Sequence, residues 1–123
     1  MGVNPVTWFE IPVKDLARAQ AFYESVLATH LQPLSLGGMK MAWFPRDDAA
    51  PGISGGLVEG QGRQPSHDGA LIFFNVADID STLSAVERSG GKIVMPRSGG
   101  GEQGAIAHFE DTEGNLVALF SKS

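Results

Sequence analysis

The 123-residue sequence contains no cysteine, which excludes a disulfide framework, a thiolate metal site and a cysteine nucleophile. No apolar stretch approaches the roughly 18 residues a membrane-spanning helix needs, and residues 1–14 lack the basic start and unbroken apolar run of a signal peptide. The expectation is a cytoplasmic protein with no membrane partner. Basic residues are also scarce: nine Lys and Arg stand against 14 Asp and Glu, for a net charge of −5, and the nine are scattered. A surface that tracks phosphates needs clustered cations, so nucleic acid is not an expected partner. Neither a phosphate-binding loop nor a nucleophile-elbow motif is present.

What the chain has in abundance is glycine, 16 residues, grouped near 37–38, 52–62, 90–91 and 99–104. It also repeats itself once. Glu10-Ile-Pro-Val-Lys-Asp-Leu-Ala-Arg-Ala-Gln-Ala-Phe-Tyr-Glu-Ser-Val-Leu27 returns 63 residues later, more weakly, as Phe73-Phe-Asn-Val-Ala-Asp-Ile-Asp-Ser-Thr-Leu-Ser-Ala-Val86. Each copy reads as a strand, a short turn and a helix. Leu16, Ala19, Phe22, Tyr23, Val26 and Leu27 recur at three- and four-residue steps and so form one buried stripe. Asp15 and Asp78 stand where a carboxylate accepts from the first free N–H groups of a helix, and are read as N-caps.

Residues 6–13 alternate, with Phe9, Ile11 and Val13 facing the helix and Trp8 and Glu10 facing away. Further strands are predicted at 39–45 and 53–59, where Gly55-Gly56 implies a bulge or a close backbone approach. The polar stretch 60–69 connects the copies. The second copy is predicted as strand 70–77, helix 79–89 closed by Gly90-Gly91, strand 92–95, a mobile glycine-rich loop 97–104, and strands 105–110 and 116–120 joined through Asp111–Asn115. Ala42-Trp43-Phe44 echoes Ala107-His108-Phe109. A single domain over 1–123 is expected, with module one at about 5–60 and module two at about 70–121.

The segments Val13-Lys-Asp-Leu-Ala-Arg-Ala-Gln-Ala-Phe-Tyr23, Val76-Ala-Asp-Ile-Asp80, Gly90-Gly-Lys-Ile-Val94 and Phe109-Glu-Asp-Thr-Glu-Gly-Asn115 resemble the vicinal oxygen chelate superfamily of glyoxalase I, bleomycin-resistance proteins and extradiol dioxygenases. The likeness runs from about residue 6 to 121. It implies an α+β fold of two tandem βαβββ modules forming a cleft between curved mixed sheets, and a homodimer by family habit. Trp8-Phe-Glu-Ile-Pro-Val-Lys-Asp15 and the glycine-rich loop before Ala105-Ile-Ala107 are similar to a bacterial branch described as related to lactoylglutathione lyase.

Metal-dependent members hold a divalent ion through one His, Gln or Glu from each of four strands. The resemblance puts these ligands seven residues before each helix-starting aspartate, at Trp8 and Leu71, four residues after the hairpin glycine, at Ala118, and within 53–59. Indole, isobutyl and methyl groups donate no electron pair to such an ion, so no cofactor is expected. A replacement set would have to come from Glu10, His108, Glu102 or Glu110. Glu10 and His108 are the candidate catalytic residues, Glu10 as a general base, as a cation-binding carboxylate, or simply paired with Lys40 or an arginine. Trp8, Trp43, Phe73, Asn75 and Phe120 are the candidate ligand-binding residues. The expected function is binding, or metal-independent transformation, of a small organic molecule. The alternatives are a metal-dependent glyoxalase-type lyase or isomerase and a non-catalytic, drug-sequestering binder.

Overall fold

The computed structural model describes residues 4–122. Module one runs β1 (Phe9–Pro12), α1 (Leu16–Leu27), β2 (Gln32–Leu36), β3 (Met39–Trp43) and β4 (Gly55–Glu59). Module two runs β5 (Phe73–Asn75), α2 (Ile79–Arg88), β6 (Lys92–Gly99), a 3-10 turn at Gly101–Gln103, β7 (Ala105–Glu110) and β8 (Leu116–Ser121). Each module is a four-stranded mixed sheet with one helix. The orders are β1-β4-β3-β2 in sheet A and β5-β8-β7-β6 in sheet B, with the first two strands of each order parallel. Among the described residues no helix is long and apolar enough to cross a membrane.

Both helices begin as the sequence predicts. Asp15 accepts from the Arg18 amide at 3.1 Å, and Asp78 accepts from the amides of Asp80 and Ser81 at 3.0 and 3.4 Å. α2 ends in paired bonds, Gly91 N–H to Val86 O at 2.9 Å and Gly90 N–H to Glu87 O at 3.3 Å, which satisfy carbonyls the helix leaves over.

Two elements depart from the sequence reading. β2 has no counterpart among the strands predicted from the sequence; it contains Pro33 and its side chains are mostly exposed. It is an edge strand, where a missing N–H costs no ladder bond, and the hairpin to β3 closes through Gly37 and Gly38 at φ +59° and +81°. The predicted mobile loop 97–104 is in part strand: β6 continues to Gly99 and pairs Ser98 with Ile106 and Gly99 with Ala105, after two register shifts. Backbone pairing needs no side chain, so a glycine run adjoining a strand can extend it. The paired glycines of β4 mark a close approach, not a bulge, since register is unbroken and a methyl at Gly55 would sit 2.2 Å from Phe9 O.

The helix-covered faces of the two sheets share one core. Phe9, Phe44 and Tyr23 all pack within about 6 Å, centroid to centroid, of Phe74 from the other module. Phe22 of α1 meets Phe109 of β7 at 5.9 Å, and Ser89 beside α2 donates to Ser25 on α1 at 3.0 Å.

The Asp111–Asn115 turn is buried and polar, and it ties module two to module one. Asp111 accepts from Tyr23 Oη (2.5 Å), from the amides of Glu113 and Asn115 (2.8 and 2.9 Å) and from Asn115 Nδ2 (3.0 Å), which also donates to Pro12 O (2.8 Å). Glu113 accepts from the Lys14 and Asp15 amides at 2.9 Å each and takes a two-pronged bond from Arg18 at 2.7 and 2.9 Å. Burial alone would raise the Glu113 carboxyl. The Arg18 guanidinium, the Asp15 and Lys14 amides and the Thr112 hydroxyl outweigh it and hold the group at about 2, against an ordinary 4.5.

A carboxyl depressed by folding stabilises the native state above its ordinary pKa and loses that contribution as the pH falls toward the folded value. The Glu113 contribution is on the order of 3 kcal/mol. Glu113→Gln is therefore expected to lower the denaturation midpoint at neutral pH and to flatten the stability loss between pH 4.5 and 2. An acid limb as steep as that of the parent chain would contradict this. Tyr23→Phe removes a donor from a carboxylate that water cannot reach, and should cost about 1–3 kcal/mol in urea unfolding. An unchanged midpoint would show the bond to be dispensable.

Candidate functional site

With both helices and both inner faces committed to the core, chemistry is left to the outer faces. On sheet A that face follows from strand parity. Glu10 pairs in register with Gly56, Trp43 with Gly56 from the other side, and Met41 with Val58. Trp8, one step before β1, brings its ring to 5.4 Å from that of Trp43 at 76°, edge to face. Gly56 makes this possible, because a methyl there would stand 2.7 Å from Trp43 Cδ1. The Trp43 indole N–H is buried without a hydrogen-bond partner among the described residues.

Glu10 lies beside the indoles with both oxygens engaged. One accepts from Trp8 Nε1 at 3.3 Å and the other meets Arg63 Nη1 at 2.9 Å. The partner is thus an arginine from the connection, while Lys40 stands 3.9 Å from Glu59. Glu59 in turn accepts from the Leu16 amide at 2.8 Å and helps cap α1. Trp8, Glu10, Leu36, Met41, Trp43 and Arg46 line a recess of about 450 Å³.

On sheet B the outer face carries Phe73 and Asn75 of β5, registered with Ala118 and Phe120 of β8. His108 pairs with Ala118 on one side and Met95 on the other, and its ring stands 6.3 Å from that of Phe73 at 80°. Phe73 is half exposed, at 50%. With Ile53, Leu71, Asn75, Phe120 and the buried edge of Phe44 it lines a crevice of about 640 Å³.

The structure therefore brings Trp8, Glu10 and Trp43 together, and separately Phe73, Asn75, Phe120 and, beside Phe73, His108. It does not place the two groups in one recess. Leu36 and the Arg63 partner of Glu10 were not singled out from the sequence, and Ile53 entered it only as part of 53–59. Leu36 sits on the unexpected β2 and Arg63 in a polar connection, and nothing local marks Leu36 as lining or Arg63 as the partner.

The residues at the expected metal positions do not fit a divalent ion. Trp8 and Leu71 line different recesses, and Ala118 is fully buried. Of the replacement donors, Glu10 is held by Arg63, Glu110 by His67 at 2.7 Å, and Glu102 is exposed on the 3-10 turn. Among the described residues no three His, Asp or Glu side chains converge. No step is derived through a metal.

Residues 5–119 match the sequence pattern of the Glyoxalase/Bleomycin resistance protein/Dioxygenase superfamily. A "Glyoxylase-like domain-containing protein" of Didymella fabae is 32% identical over 124 residues, covering 95% of this chain and 93% of that protein. A glyoxalase/bleomycin resistance protein from Albidiferax ferrireducens superposes with a TM-score of 0.73 at 16% identity, covering 98% of this chain and 100% of that one. Glyoxalase I from Zea mays does so with a TM-score of 0.73 at 23% identity, over 96% of this chain but only 46% of its own. The tandem βαβββ architecture, the extent of the sequence match and the fungal relative together place this chain in the Glyoxalase/Bleomycin resistance protein/Dioxygenase superfamily.

Proposed function

We propose that this chain binds a small, largely apolar organic molecule in the crevice where β5 of sheet B meets module one, without a divalent metal ion. The crevice beside Phe73 carries the reading. Its volume of about 640 Å³ falls within the usual range for ligand pockets, and such pockets join apolar walls to a few orienting polar groups. Here Phe73, Phe120, Leu71 and Ile53 supply the walls, the Asn75 amide supplies a donor and an acceptor, and the Ser54 hydroxyl, which donates to Pro45 O, supplies an acceptor. An aromatic side chain left half exposed is a favourable surface for an apolar ligand to cover. His108 stands edge-on to Phe73 and does not itself line the crevice. Binding is the reading favoured over turnover at Glu10, because both oxygens of that carboxylate are already occupied.

We also propose that two copies of the chain associate. This chain spans less than half the length of the maize protein it matches, which is consistent with two chain-lengths building one complete unit.

A bound ligand raises the melting temperature by mass action, with a gain of about 2.7 kcal/mol at a hundred times Kd. 1-Naphthol, a flat neutral probe, is expected to raise it saturably, and Phe73→Asp to abolish that rise while the unliganded melting point changes little. No saturable rise would overturn the crevice reading. A stoichiometric transition metal in protein purified without chelators would overturn the metal-independent one. Sedimentation at micromolar concentration is expected to give twice the mass of the chain, and a monomer mass would remove the dimer.

A further inference from the structure

The recess on sheet A has a different chemistry from the crevice on sheet B. Its walls are two indoles, and the negative face of an indole attracts a cation within about 6 Å of the ring. Its one carboxylate, Glu10, is 27% exposed. Of the two groups on that carboxylate, one is the neighbouring Trp8 N–H at 3.3 Å, which fixes the indole. The other is a planar cation. Arg63 reaches Glu10 from the connection between β4 and β5, outside any strand or helix, and is itself 38% exposed. A planar cation thus already sits on the carboxylate beside two indoles, on a connection held by backbone bonds, Arg63 N–H to Gly60 O at 3.2 Å and Leu116 N–H to Ser66 O at 3.2 Å, so the Arg63 side chain can leave without unfolding a strand or helix. Arg46, at another edge of the recess, is paired with Asp48 at 2.8 Å. Those two side chains are 69% and 81% exposed, so solvent and partner screen that positive charge. The net charge of −5 favours the approach of cations over anions.

We propose that this recess is a binding site for flat organic cations of the amidinium, guanidinium or aromatic-amine class. The ligand displaces the Arg63 guanidinium from Glu10 and lies against Trp8 and Trp43. Arg63 is the resident competitor that the ligand must replace, so the apparent affinity is the intrinsic affinity reduced by the fraction of molecules in which Glu10 is free. The site does not depend on the sheet B crevice or on its proposed ligand.

The chain has two tryptophans, and both line this recess, so intrinsic fluorescence reports on it directly. Benzamidinium, benzamide and benzoate are planar and nearly isosteric, and differ in charge. Benzamidinium is expected to change the emission saturably and to bind at least about tenfold more tightly than benzamide, as a charge-assisted pair with a carboxylate should. Arg63→Gln should tighten benzamidinium about fivefold or more by removing the competitor. Glu10→Gln, which retains an acceptor for the Trp8 indole, should bring benzamidinium down to the affinity of benzamide. Phe73→Asp should leave all of this unchanged, so failure of the sheet B reading and failure of this one are separable.

Three results would each overturn the proposal: no saturable change with benzamidinium, benzamide or benzoate binding as tightly as benzamidinium, or a weakening on Arg63→Gln. Retention of the far-ultraviolet circular dichroism spectrum confirms that each variant is folded. The Arg63→Gln result stands even if Glu10→Gln proves unstable.

Discussion

The arrangement of this molecule depends on a buried carboxylate, Asp111, that accepts four hydrogen bonds inside the last hairpin turn. An acidic side chain at 3% exposure is tolerated because every donor around it converges on it. Those donors come from both modules. Tyr23 stands on α1, and Asn115 reaches on to Pro12 at the end of β1. Two residues along, Glu113 closes the entrance of α1 from outside and takes the Arg18 guanidinium. The turn therefore does more than reverse the chain between β7 and β8, because it fixes the second module on the first helix. A hydrophobic contact would permit sliding here, whereas directed bonds to two backbone amides and a guanidinium do not.

The location of the candidate sites follows from that join. The inner faces merge into one core that includes Phe22, Tyr23, Phe44, Phe74 and Phe109, and the outer faces are left outside it. Comparison of the two halves shows what each face permits. In Ala42-Trp43-Phe44 and Ala107-His108-Phe109, both alanines are fully buried and both phenylalanines belong to the core, while the middle residues face outward and differ. Outward positions diverge elsewhere too: Trp8 corresponds to Leu71 and Glu10 to Phe73 at the same 63-residue offset. Close packing restricts inward side chains to a narrow range of volumes, and no such limit applies to the outer face. The duplicated halves thus share a core pattern and carry separate chemistries, indole with carboxylate on sheet A and phenyl with imidazole on sheet B.

The side chains at Trp8, Leu71 and Ala118, which hold no electron-pair donor for a metal ion, show the same freedom of the outward positions. A superfamily assignment carries the architecture with it and leaves the activity to the particular side chains on the outer faces. Here those side chains are two indoles and a carboxylate on sheet A and a phenyl and an imidazole on sheet B.

The local order of the chain was legible because local chemistry produces it. Alternation along 6–13, the three- and four-residue stripe of 16–27 and the carboxylates at Asp15 and Asp78 specify strand, helix and cap through interactions a few residues long. The same rules missed β2, whose proline is harmless only on an edge that the sheet creates, and they misread 97–104, whose pairing depends on β7 lying alongside. Parity assigned Trp8 and Glu10 to the face away from the helix, and pairing with Lys40 or an arginine was one of three readings open for Glu10. That the partner is Arg63, that Asp111–Asn115 is a buried clamp and not merely a turn, and that Phe73 and Trp8 line separate recesses are matters of long-range placement. The Glu10–Arg63 pair spans more than 50 residues of sequence, and the Lys14–Glu113 bond spans 99. Such contacts arise from the packing of two modules around a shared core, which no local pattern encodes.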